Sequence, residues 1–279
     1  MDYVLGKDYI EIFGKEDFDI KEILECGQVF SYKFMCDCYL VYSADKKAKV
    51  TETSLGYIIK TNHPNYFENY FDLKTDYGKI KETLSKFPIL KKPIDFGKGI
   101  RILKQNLFET LISFIVSANN NIKRIQMILE RLREKLGSKV GDFYAFPTRE
   151  QLKGASVEFF KEIGAGYRAD YLYKVVRQID DNTLNEWQKL DTKDLRNKLI
   201  SLSGIGPKVA DCVLLFGYGR QDVFPVDTWI EKMYVKFYCS NSQIVPNREK
   251  IRENLVKEFG NLSGYAQQYL FYSMRSREV

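Results

Sequence analysis

Hydrophobic positions along the chain change period about a third of the way through. Between residues 28 and 61 they come in short clusters of aromatic and β-branched residues with partial alternation, as in DCYLVYS (37–43) and LGYIIKT (55–61). That pattern predicts short strands in an antiparallel sheet. Asp45-Lys46-Lys47 and Ser54-Leu55-Gly56 supply turns between them. YFENYFDL (66–73) follows, then a lysine-rich stretch to Lys92. Pro88, Pro93, Gly97 and Gly99 mark a crossover and place a boundary near residue 97. Beyond it, apolar residues recur every three or four positions, the signature of helices buried along one face. Leu107, Leu111, Phe114, Ile115 and Ala118 share a face, and Asn119-Asn120-Asn121 ends the run. Ile122, Ile125, Leu129, Leu132 and Leu136 begin a second helix. Leu172, Val175, Val176 and Ile179 mark another, as do Val209, Cys212, Val213 and Phe216, and 264–275 reads as helical too. The expectation is an α+β protein: an N-terminal antiparallel β-sheet domain over 1–96, then a mainly helical body over 97–279.

Composition narrows the function classes. The 279 residues include 19 Phe, 19 Tyr and 2 Trp, enough apolar area to exclude disorder as the main state. No apolar run approaches the ~18 residues of a membrane span, and the opening MDYVLGKDYIEIFGKEDF lacks the basic-then-apolar layout of a signal peptide. Net charge is +6, which suits a polyanionic partner and equally an ordinary basic protein. Cys26, Cys36, Cys38, Cys212 and Cys239 are odd in number, pointing to a reducing compartment: the cytosol or nucleoid of a bacterium or archaeon, the nucleus of a eukaryote. Cys36 and Cys38 have no matching pair downstream, and His63 is the single histidine. A protein-bound zinc, an iron–sulfur cluster and a Ser-His-Asp triad are all disfavoured, so neither metal nor cofactor is expected. Any catalysis must rest on Lys, Asp, Glu, Tyr or Cys.

The stretch that carries chemistry is LSGIGPKVADCVLLF (202–216). Gly204 and Gly206 fall between helical patterns, and Pro207 suits the first helical position. Glycines there let a backbone approach closely, and the amides of a new helix point outward together, an arrangement fit for a phosphate oxygen. A helix-hairpin-helix over about 195–217 would hold a nucleic-acid backbone in this way; a plain turn between helices would look the same. Lys208 enters the first turn, where the helix dipole disfavours an ammonium and favours a nucleophilic amine. Its alternative is a surface lysine on phosphate. Asp227, in VFPVDTWIEKMY (223–234), follows 19 residues later and can return to the same mouth or cap the helix from Thr228.

GIGPK followed by PVD resembles the helix-hairpin-helix, Gly/Pro-rich, Asp (HhH-GPD) superfamily of DNA base-excision glycosylases. Seven segments in order narrow the resemblance to its 8-oxoguanine DNA glycosylase/AP lyase branch: ECGQVFSY (25–32), YFENYFDL, VSANNNIKRI (116–125), GAGYRADYL (164–172), KVADC (208–212), FPVD (224–227) and AQQYLF (266–271). They span most of the chain, from about Glu25 to Arg275.

The resemblance implies a bifunctional enzyme acting on double-stranded DNA that contains an oxidised guanine, as a monomer and with no membrane or required protein partner. Lys208 would attack C1′ of the damaged nucleotide, Asp227 would assist, and a Schiff base would lead to strand cleavage. Gly27 would accept the N7 proton of 8-oxoguanine from its carbonyl, and Gln267 would read the Watson–Crick edge. Phe271 and Cys212 would sandwich the extruded purine, with Phe216 at a pocket position often held by methionine. Asn119 would fill the gap left by the base, Tyr167 would wedge beside the opposite base, and Arg124 and Arg168 would read its acceptors, favouring cytosine. Gly204 and Gly206 would hold the backbone. Read on their own residues, Phe271 and Cys212 fit a core and Gln267 a surface. Trp229 stands where many relatives have histidine. The rival readings are a glycosylase for another purine lesion and a non-catalytic helix-hairpin-helix DNA-binding protein.

Overall fold

The alternating segments pair into an antiparallel sheet, and the computed structural model, which describes residues 1–180, 182–239 and 245–277, adds two strands in front of those expected. The strands are β1 (Asp2–Leu5), β2 (Tyr9–Phe13), β3 (Tyr32–Met35), β4 (Cys38–Ser43), β5 (Lys46–Glu52) and β6 (Gly56–Lys60). Their order is β1-β2-β6-β5-β4-β3, antiparallel throughout. Register follows burial: Val41 faces Ala48, Tyr39 faces Val50, and Ile10 faces Ile59. All six point inward, because side chains alternate across a strand and only one face meets the core. α1 (Ile20–Glu25) and α2 (Pro64–Tyr70) cover that face with Ile20, Ile23, Leu24 and Phe67. β2 itself, YIEIF, alternates cleanly with Ile10 and Ile12 inside.

The body contains α3 (Tyr77–Leu84), α4 (Pro88–Phe96), α5 (Leu107–Ser117), α6 (Ile122–Leu136), the hairpin of β7 (Lys139–Val140) and β8 (Phe143–Tyr144), α7 (Arg149–Lys153), α8 (Val157–Glu162), α9 (Arg168–Gln178), α10 (Thr183–Trp187), α11 (Thr192–Ile200), α12 (Pro207–Phe216), α13 (Thr228–Tyr238), α14 (Arg248–Phe259) and α15 (Ser263–Arg277). Asn106, Asn121, Asp191 and Asn247 cap α5, α6, α11 and α14 by accepting a first-turn amide, a contribution of about 1 kcal/mol each. Leu111 to Val116 of α5 and Val209 to Phe216 of α12 are buried all round, so these two helices form the centre of the body. None of the described helices is long and apolar enough to cross a membrane.

The stretch expected as a crossover is instead helical. Pro88 opens α4, where its missing N–H costs nothing, and Pro93 sits inside the helix with its ring buried. Leu84, Leu90 and Ile94 share the apolar cluster of the helical body rather than that of the sheet.

Three buried polar side chains join sheet and body. Gln28, fully buried, donates to the carbonyls of Ile23 (2.9 Å) and Arg101 (2.7 Å) and accepts from the Leu103 amide (2.8 Å). Arg101, also fully buried, donates to the carbonyls of Phe71 (3.0 Å), Asp17 (2.9 Å), Thr75 (2.9 Å) and Asp72, and lies over the Tyr77 ring. Burying a guanidinium costs several kcal/mol unless its donors are met, which these carbonyls do. Glu109 accepts from Ser31 Oγ and the Ala44 amide (2.7 Å each) and pairs with Arg133. Gln28 follows Gly27 directly, so its three bonds also anchor the turn at Cys26-Gly27 on its C-terminal side.

Candidate active site

α11, the turn 201–206 and α12 form a helix-hairpin-helix whose second helix starts at an open glycine. Gly206 is the N-cap in extended conformation, and a Cβ there would meet nothing within 4 Å. Neither φ nor packing demands a glycine at 206; only something approaching from outside would. Gly204 differs: its φ is +80°, and a Cβ would lie 2.6 Å from Tyr171 Cβ. Pro207 has no N–H, and the next amides of α12 have no partner within the helix, as at any helix start.

Lys208 stands in this first turn, half-buried. Its Nζ lies 5.4 Å over the ring of Phe114 from α5, and its charge acts on the thiol of Cys212, one turn on. Burial pushes that thiol up to about 11, against the pull of the Lys208 ammonium and with the added push of the Asp211 and Asp227 carboxylates. At neutral pH Cys212 is therefore a neutral thiol, and both Lys208 and Asp227 lie within electrostatic reach of it. Asp227 is the N-cap of α13: its Oδ1 accepts the amides of Trp229 and Ile230 at 3.0 Å each. One carboxylate thus caps α13 and reaches with its charge the thiol on which Lys208 also acts. Phe216 lies a further turn down α12, 3% exposed, stacked on Phe114 at 5.4 Å.

The other wall comes from the chain ends. Gln267 of α15, 5% exposed, donates from Nε2 to the Pro225 carbonyl at 3.4 Å, which ties it to the segment leading into Asp227. Its Oε1 is buried without a hydrogen-bond partner. That orphaned acceptor is costly to leave unmet and is free to receive a donor from a ligand. Phe271, one turn on, is half-buried and presses against Gly27: a Cβ at 27 would sit 2.9 Å from Phe271 Cε1. Gly27 has φ +84°, a left-handed conformation that favours glycine. Three residues later Phe30 meets Phe114 edge-on at 5.6 Å, so both walls share the aromatic beneath Lys208. A cleft of about 600 Å³ opens on another side of Phe30, walled by Tyr32, Tyr42, Gln126, Arg133 and Phe143; the residues singled out by sequence do not line it.

A third group gathers beside α5. Asn119 is exposed with φ +48°, at the tip between α5 and α6. Arg168, 3% exposed, holds that tip: it donates to the carbonyls of Ala118 (2.7 Å), Asn119 (2.6 Å) and Ala165 (3.3 Å). Here its fork is committed to backbone and does not face outward as a base reader would. The sequence alone does not distinguish these fates, because two of the three carbonyls belong to a loop about fifty residues away. Arg124 is exposed and makes one bond, to the Gly164 carbonyl at 3.1 Å. Tyr167, 53% exposed, donates to the Ala118 carbonyl and meets Tyr171 edge-on at 6.1 Å. Tyr171 in turn packs on Gly204, linking the tip to the hairpin. Sequence reasoning did not single out Tyr171 or Phe114 for this site; Phe114 was visible only as one member of an apolar face. Among the described residues no group of three His, Cys, Asp or Glu side chains could hold a metal.

Comparison with known proteins adds an independent line. Residues 12–111 match the family described as 8-oxoguanine DNA glycosylase, N-terminal domain, and 112–260 match the HhH-GPD superfamily base excision DNA repair protein family. The N-glycosylase/DNA lyase of Saccharomyces cerevisiae is 32% identical over 251 residues, covering 76% of this chain and 66% of that one. An Arabidopsis thaliana protein named N-glycosylase/DNA lyase OGG1 is 33% identical over 189 residues, covering 62% and 52%. The chain thus spans less than two thirds of the length of these two relatives. A crystal structure of the Clostridium acetobutylicum 8-oxoguanine glycosylase/lyase, in complex with double-stranded DNA containing cytosine opposite 8-oxoguanine, superposes with a TM-score of 0.91 at 36% identity and covers 100% of both chains.

Proposed function

The chain belongs to the HhH-GPD superfamily of base excision DNA repair proteins and carries the N-terminal domain of 8-oxoguanine DNA glycosylases, and from this premise we propose that it is a bifunctional repair enzyme: it excises 8-oxoguanine from opposite cytosine and cleaves the resulting abasic site. The observation that carries the reading is the placement of Lys208 at a helix start and Asp227 at the next helix cap, with Gln267, whose buried Oε1 has no partner, bonded to the segment that leads into Asp227.

The base must first leave the stack to be reached. The hairpin at Gly204 and Gly206 grips the backbone, Asn119 fills the gap, and Tyr167 wedges beside the opposite base. Arg124 offers exposed donors to a cytosine; Arg168 would join it by exchanging carbonyl bonds for base acceptors. The purine enters between Cys212 and Phe271, with Gln267 Oε1 accepting from its Watson–Crick edge and the Gly27 carbonyl accepting the N7 proton. Guanine has no proton at N7, so it loses that bond and sets two lone pairs against each other, a discrimination of about 1–3 kcal/mol. The sheet domain (1–96) supplies Gly27, and the body (97–279) supplies the rest.

Chemistry then follows from charge. As the N-glycosidic bond breaks, its electron pair leaves with the base and the sugar gains positive character at C1′, which the Asp227 carboxylate stabilises. The Lys208 amine, once it has given up a proton, attacks C1′. Ring opening yields a Schiff base; loss of a proton from C2′ then expels the 3′ phosphate with the C3′–O electron pair. Cys212, held as a neutral thiol, does not compete as a nucleophile. The proposal includes action as a monomer, in the cytosol or nucleoid, or in a nucleus if the source is eukaryotic.

The test is a duplex carrying 8-oxoguanine opposite each of the four bases, incubated with borohydride. The wild type is expected to form a covalent adduct, most with cytosine, and Lys208→Gln to form none while still binding DNA. An adduct that persists in Lys208→Gln overturns the assignment of the nucleophile, and equal excision opposite all four bases overturns the cytosine preference.

A further inference from the structure

The face of α15 that carries Gln267 and Phe271 continues one turn further to Arg275, each four residues from the last. The Arg275 guanidinium lies 5.3 Å over the Phe271 ring. Its Nη2 donates to the Glu25 carbonyl, at the end of α1 and two residues before Gly27. Its Nη1 approaches Gly27 so closely that a Cβ there would sit 2.9 Å away. One side chain therefore touches the ring expected to stack on the purine and the turn expected to present the N7 acceptor.

We infer that Arg275 is a positioning residue for the damaged base, a clamp that fixes Phe271 and the Glu25–Gly27 turn in one register. The inference rests on the proposed excision of 8-oxoguanine. A residue at φ +84° lies outside regular structure, so the aim of its carbonyl depends on what holds the flanking peptides. The bond to the Glu25 carbonyl supplies that hold from the opposite end of the chain. The cation also occupies one face of Phe271, which leaves the other face for a purine and fixes the ring plane. Arg275 is placed far enough from Lys208 and Asp227 that no contact joins it to them among the described residues, so its effect is confined to fitting the base.

That confinement gives the test. A preformed abasic site brings no base to the pocket, so its incision reports Lys208 chemistry alone. Wild type, Arg275→Met and Arg275→Lys are compared in single-turnover excision of 8-oxoguanine opposite cytosine and in incision of an abasic site, with melting temperatures alongside. Because small misplacement of a reacting group carries a steep rate cost, Arg275→Met is expected to slow excision about tenfold or more and to narrow the preference over guanine, while abasic incision changes by less than about twofold. Arg275→Lys, which keeps a cation but not the fork, is expected between the two. Excision by Arg275→Met at the wild-type rate overturns the clamp. So does a parallel fall in both activities that tracks the melting temperature, since that is a merely structural role. If wild type incises abasic sites but leaves 8-oxoguanine in place, the excision reading itself fails and the clamp with it, a result distinct from normal wild-type excision with indifferent variants.

Discussion

Lys208 and Asp227 are 19 residues apart, whereas Gly27 and Phe271 are 244 apart, and the proposed function makes the two pairs facing walls of one site. The first wall is local: a turn, a helix start and a helix cap place its groups with little help from the rest of the chain. The second closes only when α15 returns to the end of α1, at the seam that Gln28 and Arg101 hold. A wall built locally suits chemistry that must be done on any abasic sugar. A wall built at a seam suits a decision about which base is admitted, because small shifts there change fit without touching the nucleophile. Substitutions confined to one wall separate what each contributes.

The largest effect is expected on the local wall. Asp227→Asn keeps an oxygen that can accept the amides of Trp229 and Ile230, so α13 keeps its cap. What it loses is the charge facing the sugar. Excision is expected to fall about 10²- to 10³-fold with the melting temperature almost unchanged, read by single-turnover kinetics and thermal denaturation. A fall of less than about threefold would mean that this carboxylate is only a cap and that the local wall does no electrostatic work.

The two walls also differ in how far the sequence disclosed them. LSGIGPKVADC reads directly: glycines, a proline at a helix start and an apolar period fix the hairpin, and Asp227 before Thr228 reads as a cap. Every one of those signals lies within a few residues of its effect. Gln267 and Phe271 carried no such signal and rested on resemblance, because nothing near them says that Gly27 is their neighbour. Arg275 was missed altogether, since an arginine near a helix end looks like any solvated charge. Arg168, expected to face a base, is held by three carbonyls. β1 and β2 went unpredicted although YIEIF alternates, and the prolines of α4 read as a break although one opens the helix and the other lies on its buried face. Local physics was legible; pairings across the fold were not.

A second effect sharpens the local wall alone. The Cys212 thiol is buried and titrates at about 11 against an ordinary 9.0. Between those values the unfolded chain gives up this proton and the folded chain keeps it, so the stability involved is fully present below pH 9 and is lost as pH rises to 11. The loss amounts to about 2–3 kcal/mol over that window. Cys212→Ala is expected to flatten the alkaline decline by that amount, measured as the difference between chemical denaturation in mildly and strongly alkaline buffer for the two proteins. Cys26, beside Gly27, is pushed higher, to about 12, so Cys26→Ala should flatten the same limb over a window that opens at the same pH and runs further. An unchanged decline in Cys212→Ala would mean that the thiol is not in the sealed position beside Lys208 that the mechanism assigns it.

The smallest effect contrasts the two glycines of the hairpin. Gly204 is required by the protein itself: alanine there would carry a φ of +80° and bring Cβ to 2.6 Å from Tyr171 Cβ. The backbone term alone costs about 1–2 kcal/mol, so Gly204→Ala is expected to lower stability with or without DNA. Gly206 is required by nothing within the chain, since its φ is ordinary and a Cβ there meets open space. Gly206→Ala is expected to leave stability unchanged or raise it by about 0.4–1 kcal/mol and yet to weaken DNA binding several-fold, because the added methyl stands where a phosphate would approach the free amides. Affinity should also fall steeply with added salt in the wild type, as phosphate contacts release counterions. If Gly206→Ala binds DNA as the wild type does, the backbone grip lies elsewhere, and α12 starts at an open glycine for a reason that the hairpin does not supply.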